Sequence, residues 1–165
     1  MNDYSFYSVN VLLFALPLAL FEINLEKEKG WGGGFPKDKW YGKSSLKGTK
    51  IGKAVTKITK LESPLNYHLM IMFLFFAVFL VEYIVTKNIF LVLSCFFAVN
   101  FFADISWFSF NWYFNSFKEL LKGPYGSISW HKSWFKIGKN LYIPTTYPIW
   151  LGLSIIFFVF SKLSS

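Results

Sequence analysis

The stretch IFLVLSCFFAVNFFADISWFSFNWYF, residues 89–114, decides the reading of this chain. It is long enough to cross a bilayer, which takes about 20 apolar residues as a helix. It also carries Asn100, Asp104, Trp107 and Asn111 at intervals of four, three and four. That spacing draws one narrow polar stripe along a helix whose other faces are Phe, Val, Ile and Leu. An ionisable group at membrane depth is costly and belongs against other helices or a wet cavity. Asp104 lies fifteen residues past Ile89, roughly 22 Å into a core about 30 Å thick.

Three further apolar stretches accompany it: Tyr4 to Phe21, Tyr67 to Val85 and Tyr142 to Phe160. Of the 165 residues, 54% are hydrophobic and only 16% charged, against about 25% charged in soluble domains. The expectation is an all-α integral membrane protein, a four-helix bundle in one domain over residues 1–165. Its helices fall at about 4–22, 64–86, 89–114 and 142–162, with interfacial loops 23–63 and 115–141. Ser63-Pro64 reads as a helix start, as do Thr145, Thr146 and Pro148. Lys87-Asn88 reads as a tight turn, and Pro17 as an interruption of the first helix. Asp3 and the lack of an A-x-A site argue against a cleavable signal.

The net charge is +8, and every one of the seventeen strong bases is Lys. Ten, Lys27 to Lys60, lie between the first and second stretches, and five, Lys118 to Lys139, between the third and fourth. Only Lys87 and Lys162 fall on the other side. The positive-inside rule then puts both lysine-rich loops in the cytoplasm and both termini outside, in a plasma membrane. No nucleic-acid-binding module accompanies the lysines. Cys95 is the single cysteine, so no intrachain disulfide forms.

This topology gathers Glu22, Glu26, His68, Asp104, Asn111 and His131 at the cytoplasmic end. Carboxylates with imidazoles suit general acid/base chemistry or a divalent metal. The candidate catalytic set is all six; the candidate metal ligands are Glu22, His68, Asp104 and His131, although no H-x-x-H or H-E-x-x-H spacing occurs. In the catalytic reading Asn111 orients a substrate or a carboxylate and His131 acts as a lid. On the second span His68, Met72, Phe75, Phe79 and Glu82 share a face; Glu82, near the outer end, is expected to reach outward or to pair with a lysine.

The loops should touch the bilayer surface. Gly30 to Pro36 is a glycine-rich turn that either lies on the membrane or gates a substrate. Residues 50–61 read as an amphipathic helix, with Ile51, Ala54, Val55 and Ile58 opposed to Lys50, Lys53, Lys57 and Lys60. The partner implied is the bilayer, its anionic inner-leaflet lipids in particular. Trp31, Trp40, Trp130 and Trp134 suit the headgroup layer.

Several short motifs run through most of the chain in a recognisable order. They are Glu22, Glu26 and Gly30-Trp31; Tyr67-His68; Asp104 with Trp107-Phe108 and Asn111; Trp130-His131 with Trp134; and Pro144 with Tyr147. Together they resemble a family of small uncharacterised multi-pass membrane proteins of prokaryotes. The chain departs from that pattern at Ala103, where a Glu stands in the family, and at Trp112, where a Pro stands. The resemblance implies a site and no reaction. Three classes of function remain open: an enzyme directed at a lipid or amphiphile, a structural or scaffold protein whose polar residues hold helices together, and a small transporter or channel subunit, alone or with an oligomeric or membrane partner.

Overall fold

The computed structural model describes residues 3–113 and 116–164. Four of its helices are long and apolar enough to cross a membrane. They are α1 (Asp3–Glu26), α3 (Asn66–Thr86), α4 (Ile89–Phe110) and α6 (Thr146–Leu163). Two short helices, α2 (Lys50–Thr59) and α5 (Ser116–Leu121), lie in the connections. A two-stranded antiparallel hairpin, β1 (Trp134–Lys136) and β2 (Tyr142–Pro144), pairs Phe135 with Ile143. The chain is therefore mostly helical, with this one small sheet among the described residues.

Each boundary has a local cause. Lys87 adopts a left-handed conformation (φ 56°) and its amide returns to the Tyr83 carbonyl, which stops α3. Asn88 then caps α4 by accepting from the Leu91 amide at 3.1 Å, as a short side-chain acceptor at this position does. The second span begins at Asn66, two residues after the expected Pro64, because His68 reaches back to the Leu65 amide. The expected start of the fourth span at 142 is corrected to Thr146: Tyr142 to Pro144 form β2, and the Thr145–Pro148 signals mark the true start. The third span ends at Phe110, not 114, with Asn111 at its C-cap. The first runs past residue 22 to Glu26 despite Pro17, so Glu22 and Glu26 lie one turn apart on one helix face.

Helix α4 is the centre, with its most extensive contacts to α1 and α6, while α3 touches it over a short stretch. Small side chains bring α1 against α4: Ala15 is buried in one cluster with Ala98 and Ala103, and Ala19 in another with Trp107 and Phe108. Close approach through small residues is how helices associate in lipid. Between α4 and α6, Ser94 Oγ donates to the Ser154 carbonyl at 2.7 Å and Ser154 Oγ to the Ser94 carbonyl at 3.0 Å. A second cluster packs at the loop end, with Ile23, Trp107, Phe108, Leu120, Ile128, Trp130 and Tyr147 in its buried core.

The two loops are built into that end. Leu61 pairs with His131 across an antiparallel bridge. The Glu62 amide donates to the Trp130 carbonyl and the Lys132 amide to the Lys60 carbonyl. Trp130, expected at the headgroup layer, is instead buried, its ring stacked on Phe108 with centroids 6.0 Å apart. The reason is a glycine: Gly30 (φ 50°) lies against the Trp130 ring where a Cβ would collide with it. Trp40 remains exposed, while Trp31 and Trp134 are half-buried.

Candidate functional site

Glu26 is the most constrained carboxylate of the chain. Its side chain is almost fully buried. Oε1 accepts from the Gly32 amide at 2.7 Å and from the Tyr67 hydroxyl. The glycine-rich turn after α1 is therefore a clamp. Gly32 has a φ of 63°, where side chains are strained, and a Cβ there would press on Leu65 and Tyr67. The Gly33 and Phe35 amides close the turn on the Gly30 and Gly32 carbonyls.

His68 lies beside this clamp. Its Nδ1 accepts from the Leu65 amide at 3.0 Å, which leaves the proton of the neutral ring on Nε2. Nε2 is 3.7 Å from Glu26 Oε1 and makes no hydrogen bond. Trp31 and Tyr67 flank the imidazole, with ring centroids 4.1 and 4.0 Å away.

A second carboxylate–imidazole pair stands nearby. His131 Nε2 is 3.3 Å from Asp104 Oδ2; the His131 side chain is 1% exposed and that of Asp104 25%. Aromatic rings of Phe108, Trp130, Trp134 and Tyr147 surround His131. The Tyr147 hydroxyl lies against Asp104, without an aligned hydrogen bond. The Leu61–His131 bridge makes His131 a packed element of the site, so the expected lid is corrected to a fixed wall. Glu22 is half-buried, and its charge is felt by those of Glu26 and Asp104.

All six expected residues thus lie at the loop end of the bundle, but the Asn111 side chain bonds backbone groups and neither carboxylate–imidazole pair. Its Nδ2 donates to the Lys27 carbonyl at 2.8 Å and its Oδ1 accepts from the Tyr113 amide at 3.0 Å. It ties the ends of α1 and α4 together, because α4 has already stopped and the stripe no longer continues. Asn100 likewise donates to the Phe96 carbonyl of its own helix. The expected metal set is also revised. Among the described residues no three His, Cys, Asp or Glu side chains are placed to hold one metal ion. His68 faces Glu26, and His131 faces Asp104, so the four ligands divide between two pairs.

Sequence reasoning missed Tyr67 and Tyr147 as site residues, though both stood within the recognised motifs. Each brings a hydroxyl to a carboxylate. Glu82 is also corrected. It is buried, with neither carboxylate oxygen hydrogen-bonded, rather than reaching solvent or a lysine.

The buried polar atoms lacking a hydrogen-bond partner have a pattern. Apart from the two Glu82 oxygens, those identified all belong to Trp31, His68, Asp104, Trp107, His131, Thr146 and Tyr147. All seven lie at the loop end of the spans. Beside this end, an apolar groove of about 360 Å³ runs between Trp40, Ser45, Asn66, Leu69, Met70 and Phe73. Asn66 holds its rim by bonding the Trp40 carbonyl and the Ser45 amide.

Comparison of the chain with protein-family models, with curated proteins and with solved structures finds no match.

Proposed function

We propose that this chain is a plasma-membrane acid/base enzyme of a prokaryote acting on an amphiphile, with the lysine-rich loops and the site facing the cytoplasm and both termini outside. The observation that carries the reading is the concentration of unpartnered buried polar atoms at one end of the spans. A polar group that serves only packing is satisfied by the protein around it, as Asn111, Ser94 and Ser154 are. A buried group without a partner calls for a role in chemistry or for a molecule that completes it.

In this reading Asp104, whose Oδ2 stands 3.3 Å from His131 Nε2, draws the ring proton to that nitrogen once substrate aligns the pair, so that Nδ1 is the basic nitrogen. His131 then takes a proton from water at Nδ1, the water oxygen bonds to an ester centre of the amphiphile, and the proton goes to the ester oxygen as its bond to that centre breaks. Tyr147 donates toward Asp104 or a developing negative charge. Glu26, held by Gly32 and Tyr67, positions His68, whose Nε2–H is a second donor. Glu22, half-buried between the pairs, is the carboxylate best placed to meet a substrate. The apolar groove beside Asn66 supports an amphiphile, because its Leu69, Met70 and Phe73 walls belong to a helix long and apolar enough to span. The acid/base form is favoured over a shared metal centre because each imidazole faces its own carboxylate.

A transport path is less well supported. It calls for a series of free polar groups continuing outward, whereas Asn100 bonds its own helix, Ser94 and Ser154 bond each other, and among the described residues Glu82 alone is left buried and unbonded farther out. The test is direct. Purified protein in nanodiscs is incubated with lipid extract from native membranes, and products are followed by mass spectrometry. One amphiphile should be converted, and Asp104→Asn and His131→Gln proteins of equal helicity should not convert it. An unchanged extract, or conversion that survives both substitutions, overturns the assignment.

A further inference from the structure

Helix α2 has three distinct sides. At 100° per residue, Ile51, Ala54, Val55 and Ile58 fall within an arc of about 100°. Gly52, Thr56 and Thr59 fall on a second side, and Lys50, Lys53 and Lys57 on a third. The second side is the one the protein uses. Gly52 is buried against Leu46, whose carbonyl a Cβ would strike, and Thr56 lies 3.5 Å from the Ser63 hydroxyl. Thr49 caps the helix by accepting from the Gly52 amide at 3.0 Å. The apolar side is left open, with Ile51 65% and Ile58 77% exposed. The lysines are exposed beside it.

We propose that this open side lies in the surface of a bilayer leaflet rich in anionic lipid, and that the contact steadies the segment holding His131. Charge complementarity selects the occupant. Lys50, Lys53, Lys57 and the C-cap Lys60 flank an isoleucine surface, the arrangement by which an interfacial helix sinks its apolar face and binds negative headgroups. The placement agrees, since α2 is separated from the first turn of α3 by only residues 60–65. Coupling to the site follows from the backbone. The Lys60 carbonyl accepts from the Lys132 amide at 2.7 Å, Glu62 donates to Trp130 at 3.0 Å, and Leu61 pairs with His131. Whatever fixes the end of α2 also fixes the strand across from His131.

The test uses the full chain in nanodiscs of phosphatidylcholine with or without phosphatidylglycerol. A spin label at Ile58→Cys is compared with one at Lys53→Cys; Cys95 is buried and stays unlabelled. In anionic discs the Ile58 label should collide with oxygen and avoid a nickel chelate, at a depth of about 5–10 Å, while the Lys53 label does the reverse. Hydrogen exchange of the Glu62 and Lys132 amides should be slower in anionic discs than in neutral ones. Nickel access at Ile58 in anionic discs refutes the seating. Shielding from both reagents shows that protein covers the face and also refutes it. Equal depth in neutral discs removes the requirement for negative headgroups, and unchanged amide exchange removes the coupling to His131.

Discussion

Replacing Asn111 by alanine separates a packing residue from a chemical one. In the structure Asn111 is buried and makes two bonds, to the Lys27 carbonyl at 2.8 Å and from the Tyr113 amide at 3.0 Å. Each such bond contributes about 1 kcal/mol net. Side-chain bonds deep in a membrane average only about 0.6 kcal/mol, but Asn111 sits just past the end of the Ile89–Phe110 span, where the aqueous figure applies. The sum over the two bonds is roughly 2 kcal/mol, a factor of about 30 in the folding equilibrium. Asn111→Asp should cost more, because it removes the donor and turns an anionic oxygen toward the Lys27 carbonyl. The assay is reversible unfolding in mixed detergent micelles followed by circular dichroism, with turnover measured per folded molecule. Full stability with lost turnover would return Asn111 to the site, and loss of both bonds at a cost below about 0.5 kcal/mol would refute the bonding argument.

Three further tests probe separate parts of the fold. Ser154→Ala removes a donor to Ser94 and the 2.6 Å contact with the Tyr7 hydroxyl, so it should loosen α6 by about 1–2 kcal/mol in the same unfolding assay; a neutral result would show the serine clamp to be idle. Gly32→Ala should lower stability by more than Gly48→Ala. Both positions have positive φ, costing about 1–2 kcal/mol, but only Gly32 would also press on Leu65 and Tyr67; equal losses would exclude the clamp on Glu26. Glu119 is held below the ordinary carboxylate range by its bond from Lys122 and then by the Ser127 amide. Its contribution to the loop is present above the ordinary carboxylate pKa and lost as pH falls through the lowered value. Carboxyl NMR should find that lowered midpoint, and Lys122→Gln should raise it; an ordinary midpoint in the unsubstituted chain contradicts the contact.

The spans were legible because hydropathy over about 20 residues is a strong signal, and α2 because its apolar and basic residues alternate with helical period. The fourth span shows where that signal fails. Tyr142, Ile143 and Pro144 are apolar enough to extend it, yet a run of three cannot distinguish strand from helix. The residues that did decide were Thr145, Thr146 and Pro148, which name a start rather than a composition. Trp130 was misplaced for a related reason. Amphipathic rings favour the headgroup layer on average, but Gly30 opens a space that only a large ring fills.

Periodicity also selects a face without selecting what meets it. Asn111 has the right spacing to extend the Asp104–Trp107 stripe, but α4 ends one residue earlier, so the rule is applied where its helix no longer exists. On α3, His68 and Glu82 share a face about 21 Å apart along the axis. One meets Glu26 and Trp31, and the other is buried with neither carboxylate oxygen hydrogen-bonded. Only the packing of α1 and the loops against the start of α3 gives His68 a carboxylate, a fixed tautomer and an unpartnered Nε2. Tyr67 and Tyr147 were invisible to the same reasoning, because a tyrosine in an apolar run counts as bulk until a carboxylate is placed against its hydroxyl. The candidate site is therefore assembled where two sequence-distant loops meet the helix ends, and the bridge between Leu61 and His131 is the backbone joint between those loops.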